Sequence, residues 1–495
     1  MTAPLLLGID IGTGGVRALL VDGDLGTVID RSSATWPTSS PHPGWSEQDP
    51  DRWWAATAAA IRDLTGRLDD SNRITAVGFA GQMHGLVLRD ADGRPLRPAI
   101  LWNDQRTASQ CEAIHHRIGR DRCIDLTGKP VLTGFTAPKL AWVQEHEPDI
   151  ARRIRSISLP KDHVMHRATG VHAIDVADAS GTSWLDIGTR RWSAELCDQL
   201  DVDTSWLPQV HECSEVVGSI TAEAAALTGL AAGTPVVAGA GDQAASGLAC
   251  GITTDGLVSI TVGTSGVVFA HSDEPPRDPD GTLHGFCHAV EGRWHRMGCM
   301  LSAGGSLEWF RSTLAPDRTF DQIVAEGMTA PPGSGGICFL PHLSGERCPH
   351  DDPSARGAFI GLSTNHRREH LARAVLEGIS FGLADMLQCV RDAGRHVDSV
   401  RLAGGAARSQ HWRQLLADVL AVRIETVNEP DATAYGAALL ASVGAGLHDD
   451  AAAAASAMVR ITDVIEPTGF DYGPTWNIWR TMYPDLAEPM HRLAD

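Results

Sequence analysis

Apolar residues along this chain fall into two rhythms. Short dense runs bounded by glycine, "LLLGIDI" at 5–11 and "GVRALLVD" at 15–22, have the length and composition of buried strands. They flank a Gly-Thr-Gly-Gly turn and so predict a hairpin, with "GTVID" at 26–30 as a third strand. The second rhythm is helical. "DPDRWWAATAAAIRDLTGRL" at 49–68 spaces its apolar positions at three and four residues behind Asp49 or Asp51, either of which can cap a helix. "ITAVGFA" at 74–80 reads as a buried strand running into "GQMHG" at 81–85, and 234–251 as a strand, a glycine break and a small-residue helix. Strands alternating with helices throughout predict an α/β fold.

The pattern repeats. "GLVSITVGTSGVVFA" at 256–270 has the same order of apolar run, Gly-Thr turn and apolar run as the N-terminus. Placing Gly12-Thr13 on Gly263-Thr264 (263 − 12 = 251) puts Ile9 on Ile260, Gly15 on Gly266 and Val16 on Val267. Two such hairpins half a chain apart predict two related domains, 1–251 and 252–495. The chain's 495 residues agree, since single cores stop growing near roughly 250–300 residues. The copies differ at one position: Asp10 of the first falls on Thr261 of the second. A carboxylate dispensable for the hairpin points to chemistry.

Charge and cysteine content narrow the classes. A net charge of −20 argues against a nucleic-acid or anionic-membrane surface, but not against a phosphate held locally by backbone N–H groups. The ten cysteines show no CxxC and no zinc spacing, and read as reduced thiols of a cytoplasmic protein. No signal peptide and no run long enough to span a bilayer is evident.

Glycine turns let a backbone approach a ligand, and their successive N–H groups make anion-binding concavities. Thr13 and Gly14 in the first turn, with Gly263 and Thr264 in the second, are therefore candidates to grip a triphosphate from two sides. Asp10, at a strand end beside the first turn, suits Mg²⁺, which binds through one or two carboxylates and substrate phosphates. Asp242, after Gly239-Ala240-Gly241, is either a helix cap or a base that takes a proton from a hydroxyl nucleophile. Gly404 and Gly405, between a strand and the helix of "ARSQHWRQLLADVL", would let a planar base and ribose lie on the backbone. Asn428 stands at another strand end before a small-residue helix.

Together these segments resemble the FGGY carbohydrate kinases over nearly the whole chain. "GIDIGTGGVRALLVD" matches the first phosphate motif. "GFTAPKLAWVQEHEP" at 134–148 and "GAFIGLSTNHRREHLARAVLEG" at 357–378 match the two family signatures, and "FLPHLSGERCPHDDPSARG" at 339–357 is typical. "HPGWSEQDPDRWW", "GQMHG" and "RPAILWNDQR" resemble the ketopentose-specific members. The resemblance implies two actin-like, ribonuclease-H-like domains around a cleft, with sugar held by the first and ATP by the second. It implies Met83 and His84 as the ketose-binding pair, Asp104 as a further sugar contact and Asp242 as catalytic base. Asp10 and Thr13 would serve the metal and phosphate end, and Gly263, Thr264, Gly404 and Gly405 the nucleotide; Asn428, from its strand-end position, is a further candidate nucleotide contact. The expected reaction is ATP- and Mg²⁺-dependent phosphorylation of a ketopentose, D-xylulose first, on its 5-hydroxyl. Partners would be the sugar and ATP alone; a homodimer is compatible with this reading. Gln243 stands where Asn often follows the base, and Gln105 where Gly often follows "WND"; both bear on which sugar is taken. The alternatives are another pentulose or pentitol, such as ribulose or arabinitol, and an actin-like ATPase acting on a protein.

Overall fold

Two seven-stranded sheets carry the chain, and six strands of each lie side by side with the same sequence of parallel and antiparallel pairings. The computed structural model describes residues 3–429 and 431–494. In the first sheet Val28–Thr35, Gly15–Asp22 and Leu5–Ile11 form an antiparallel meander. Leu5–Ile11 then runs parallel to Ile74–Gly81, which pairs parallel with Pro235–Val237 and with the short Ala240–Gly241; Val216–Ser219 closes the edge antiparallel. In the second sheet Trp294–Met300, Gly266–Ser272 and Gly256–Val262 repeat the meander. Val397–Gly404 and Arg423–Val427 follow parallel, and Ile461–Ile465 closes antiparallel. His284–Cys287 extends the meander side.

The hydrophobic pattern accounts for these elements. Every residue of Leu5–Ile11 is buried, because the strand is flanked on both sides and covered on both faces; such strands read as continuous apolar runs. The helix Pro50–Thr65 begins behind Asp49, whose side chain accepts from the Asp51 N–H, so Asp49 is the cap. It lays Trp53, Ile61 and Leu64 on the first sheet's core; burying each such side chain contributes roughly 1.5–3 kcal/mol. The third strand is longer than "GTVID" suggests, covering Val28–Thr35, because its polar face is open to water and hides its strand period.

Between the sheets lie two small-residue helices, Asp242–Ala249 and Ala432–Gly444. A Cβ on Gly8 or Gly78 would sit 2.0 Å from the carbonyl of Ala434 or Ala437, so the second helix lies directly on the first sheet. A Cβ on Gly436 would meet the Ala245 carbonyl at 2.0 Å, and one on Gly247 would meet the Phe269 ring at 2.5 Å. The order is therefore first sheet, helix 432–444, helix 242–249, second sheet. The sheets divide on either side of residue 251, but these two helices do not. Each lies against the sheet built by the other half.

Candidate active site

Asp10 and Thr261, the pair that distinguishes the two hairpins, face one pocket. It has a volume of about 150 Å³ and is lined also by Arg17, Ser246, Ala403, Gly404 and Asp431 to Ala434. Asp10 is buried, and its Oδ1 has no hydrogen-bond partner. Burial first, then the charge of Asp242, pushes its carboxyl up to about 7. An orphaned buried carboxylate oxygen beside a second carboxylate fits a divalent cation.

Asp242 is the first residue of its helix; Gly241 occupies the cap position, so the helix-cap role does not apply. Burial raises the Asp242 carboxyl to about 6, against the lowering effect of hydrogen bonds from the backbone N–H and side chain of Gln243. The glutamine that departs from the family pattern thus adjoins this carboxylate and opposes the rise. Met83 lies at its shoulder: a Cβ on Gly241 would meet the Met83 side chain at 2.9 Å.

His84 has φ = +67°, a strained setting for a residue with a side chain. Three groups maintain it. Thr136 Oγ1 and the buried Lys139 Nζ donate to the His84 carbonyl at 3.1 and 2.8 Å. Nδ1 is 2.8 Å from the Gly181 carbonyl, which must accept, so Nδ1 carries the proton and Nε2 is left as an acceptor. Burial first, then the Lys139 charge, holds the ring well below the ordinary imidazole range, and it stays neutral. A neutral imidazole offering Nε2 suits a sugar hydroxyl.

Thr13 is fixed by three side chains. Trp36 Nε1 and Gln48 Nε2 donate to its carbonyl at 3.0 and 2.7 Å, and Trp102 Nε1 donates to its Oγ1 at 2.9 Å. Indole nitrogen is only a donor, so the Thr13 hydroxyl accepts from Trp102 and keeps its proton for another acceptor. Gln48 is a hub: it also donates to Thr38 and accepts from Trp53 and from Gln82 of "GQMHG". Gly14 is exposed and has open space where a side chain would stand.

The second turn is held by backbone instead. The N–H groups of Ala303, Gly304 and Gly305, at the start of the helix Gly304–Leu314, donate to the carbonyls of Gly263 and Thr264 at 2.8–2.9 Å. This turn borders a cavity of about 700 Å³ lined by Gly304, Gly305, Leu307, Phe320, Gly405, Arg408 and Trp412. Gly404 lines the small pocket and Gly405 this one, so the two spaces meet at that pair. Gly404 has φ = +78°, and a Cβ there would be 2.4 Å from the Val262 carbonyl. Only glycine fits.

Two expected site residues are put to other use. Asp104 is fully buried. Its oxygens accept from Ser46 N, Arg106 N, Arg106 Nε and Arg106 Nη2 at 2.6–3.0 Å, which fills a carboxylate's capacity and leaves nothing for a sugar. Asn428 accepts from the Arg460 N–H at 2.9 Å and donates to the Met458 carbonyl and the Tyr435 hydroxyl, and it lines neither cavity. Gln105 is exposed and accepts from Thr133 Oγ1 at 2.8 Å. Asp431 was not anticipated, yet it lines the small pocket and pairs with Arg31 at 2.9 Å. Its signal was present: "DQAASG" at 242–247 and "DATAYG" at 431–436 share D-x-x-A-x-G at the start of the two central helices. Gly304 and Gly305 were likewise visible as an unexplained Gly-Gly.

Two facing hairpins, a cleft and paired carboxylates define a class, and comparison with known proteins names it. Residues 5–249 match the N-terminal domain, and 258–445 the C-terminal domain, of the FGGY family of carbohydrate kinases. The chain belongs to that family and has its two-domain actin-like, ribonuclease-H-like fold. It is 43% identical to the xylulose kinase of Escherichia coli over 89% of this chain and 90% of that one. It is 37% identical to the Bacillus subtilis xylulose kinase over 97% and 96% of the two chains. The ligand-bound xylulose kinase structure from Lactobacillus acidophilus superimposes with a TM-score of 0.94 at 27% identity, covering 99% of this chain and all of that one, 100%. Among the described residues all ten cysteines are free, and no helix is long and apolar enough to cross a membrane.

Proposed function

We propose that this enzyme transfers the terminal phosphoryl group of ATP to the 5-hydroxyl of D-xylulose. The observation that carries the mechanism is a convergence. Asp242 follows Gly241, which packs on Met83, and lies close enough to Asp10 to raise the Asp10 pKa. A hydroxyl seated by Met83 and His84 would thus meet a base on the side from which phosphate arrives. In support of the substrate, the relatives named above are xylulose kinases, and the ketopentose-like segments supply Met83, His84, Gln48 and Trp102.

In this reading ATP lays its base against the apolar wall of the larger cavity, Leu307, Phe320 and Trp412, and its phosphates run past Gly404–Gly405 towards the smaller pocket. The second turn offers backbone N–H groups, and Thr13 directs its hydroxyl proton at a phosphate oxygen. Asp242 accepts the sugar's hydroxyl proton as the oxygen attacks. Its carboxyl, raised to about 6, is mostly ionised at neutral pH and is a better base than an ordinary aspartate. Phosphoryl transfer depends chiefly on such positioning and charge stabilisation. Asp10 would hold Mg²⁺, which when bound neutralises charge on the phosphate oxygens.

The test is ADP release with D-xylulose, D-ribulose, D-arabinitol, glycerol and no sugar. D-xylulose should give the highest kcat/KM. ATP hydrolysis indifferent to every sugar would reject the reading.

A further inference from the structure

A cation from the second domain, Arg347, reaches Gly134 of the first. Arg347 lies in the "GERCPH" segment, whose backbone is clamped. The buried Glu346 carboxylate accepts from the N–H groups of Arg347 and Leu301 at 2.8 and 3.2 Å and from His342 at 3.0 Å. Cys348 N–H donates to the Cys299 carbonyl at 3.1 Å, and Asp351 N–H to the Arg347 carbonyl at 2.7 Å. From this frame the half-buried Arg347 side chain crosses to the first domain. A Cβ on Gly134 would be 3.6 Å from its Nη2 and 2.6 Å from the Trp102 carbonyl.

Gly134 belongs to the sugar side, since Lys139 Nζ bridges its carbonyl to that of His84. The Arg347 charge is felt there, helping to hold both His84 and His284 below the ordinary imidazole range. Arg97, Arg106 and Arg373, similarly enclosed, each pair with a carboxylate. The Arg347 guanidinium forms no ion pair or hydrogen bond with any described residue; only its backbone N–H and carbonyl are engaged. Its nitrogens are not sealed from solvent, so these donors face open space beside Gly134 and are free to meet acceptors on a ligand there.

We infer that Arg347 is a sugar-binding residue contributed by the second domain, donating to the oxygens of the ketose at the end remote from the phosphoryl acceptor. The direction follows from the neighbours of each group: Asp242 follows Gly241, which packs on Met83, whereas Arg347 reaches Gly134, which Lys139 ties to the His84 carbonyl. A donor-only group suits a carbonyl oxygen, which can only accept. Because the residue belongs to one domain and its neighbours to the other, a bound ketose would join the domains through it.

This inference rests on the ketose reading above, and one set of kinetics separates the two. Wild type, Arg347→Met and Arg347→Lys are compared for KM of D-xylulose, KM of ATP, sugar-free ATP hydrolysis and Tm. Loss of a charged hydrogen bond should raise the ketose KM of Arg347→Met about ten- to hundredfold, with Arg347→Lys between it and wild type. ATP KM, sugar-free hydrolysis and Tm should not move. An unchanged ketose KM in Arg347→Met overturns the assignment. So does a parallel rise in both KM values with a lowered Tm, which marks a brace between domains rather than a sugar contact. A wild type that does not turn over D-xylulose overturns the substrate reading instead.

Discussion

The two hairpins are copies that have diverged in register. In the first, Ile11 pairs with Val16, leaving four residues, Gly12 to Gly15, in the turn. In the second, Val262 pairs with Gly266, leaving three. The sequence match of Gly15 to Gly266 and Val16 to Val267 is therefore displaced by one in the ladder. A one-residue slip in a strand exchanges the faces of its side chains. Opposite Asp10 stands Arg17, a charged residue at the pocket; opposite Thr261 stands Val267, a buried apolar one. The supports diverge too: side chains of Trp36, Gln48 and Trp102 hold the first turn, whereas backbone N–H groups hold the second. One design has become a turn wired to the Gln48 and Trp102 side chains and a turn bordering the 700 Å³ cavity.

Breaking the acceptor side at its centre should have the largest effect. Asp242→Asn should lower kcat by about a hundredfold or more, the usual scale of a lost general base. In wild type, kcat/KM should fall as pH drops below about 6, where the Asp242 carboxyl takes up its proton. A variant retaining both the rate and that acid limb would remove Asp242 from the mechanism. Next comes Gly304→Ala. Its new methyl would meet the Gly263 carbonyl at 2.4 Å, and overpacking of this kind should raise ATP KM about tenfold while leaving sugar KM alone. Equal effects on both would mean the turns are not specialised. Trp102→Phe removes the N–H that orients Thr13, together with part of the ring. Steady-state kinetics should show kcat reduced about three- to tenfold, and an unchanged kcat would show that Thr13 needs no such guide.

The smallest effect is on stability. The Asp10 carboxyl is raised to about 7 in the fold, so between its unfolded value and that pH the native state binds the extra proton. Stability is thus lost as pH rises through this window. Asp10→Asn in EDTA should therefore raise Tm at pH 8, by about 1–3 °C, and leave it unchanged near pH 4. Calorimetry showing a lower Tm at pH 8 would mean that Asp10 is paired rather than stranded.

Much of the fold was legible because its signals are local. Asp49 before a periodic apolar stretch, and Gly-Thr between two buried runs, announce a helix and two hairpins without reference to anything distant. The exchange of helices 242–249 and 432–444 was not, since close packing of Gly8 on Ala434 links positions hundreds of residues apart. At the site, Asp10 and Asp242 could be singled out by glycine neighbours and cost of burial. Asp104 looked equivalent, yet its four acceptor positions are filled by Arg106 and Ser46, a matter of geometry that spacing does not carry. Arg347 was invisible for a related reason. A quoted motif contained it, but only the interdomain contact shows that its donors are idle.

The crossing of the two central helices sets what the chain can be divided into. A fragment ending near residue 251 would keep the complete first ladder but lose the layer that seats on Gly8 and Gly78. The remainder would keep that layer with nothing to seat on. Neither piece would be a free-standing module, although each carries a full sheet. Duplication thus produced two parts that must be made on one ribbon, and any evolutionary shuffling of a single lobe would have to take its partner's helix with it.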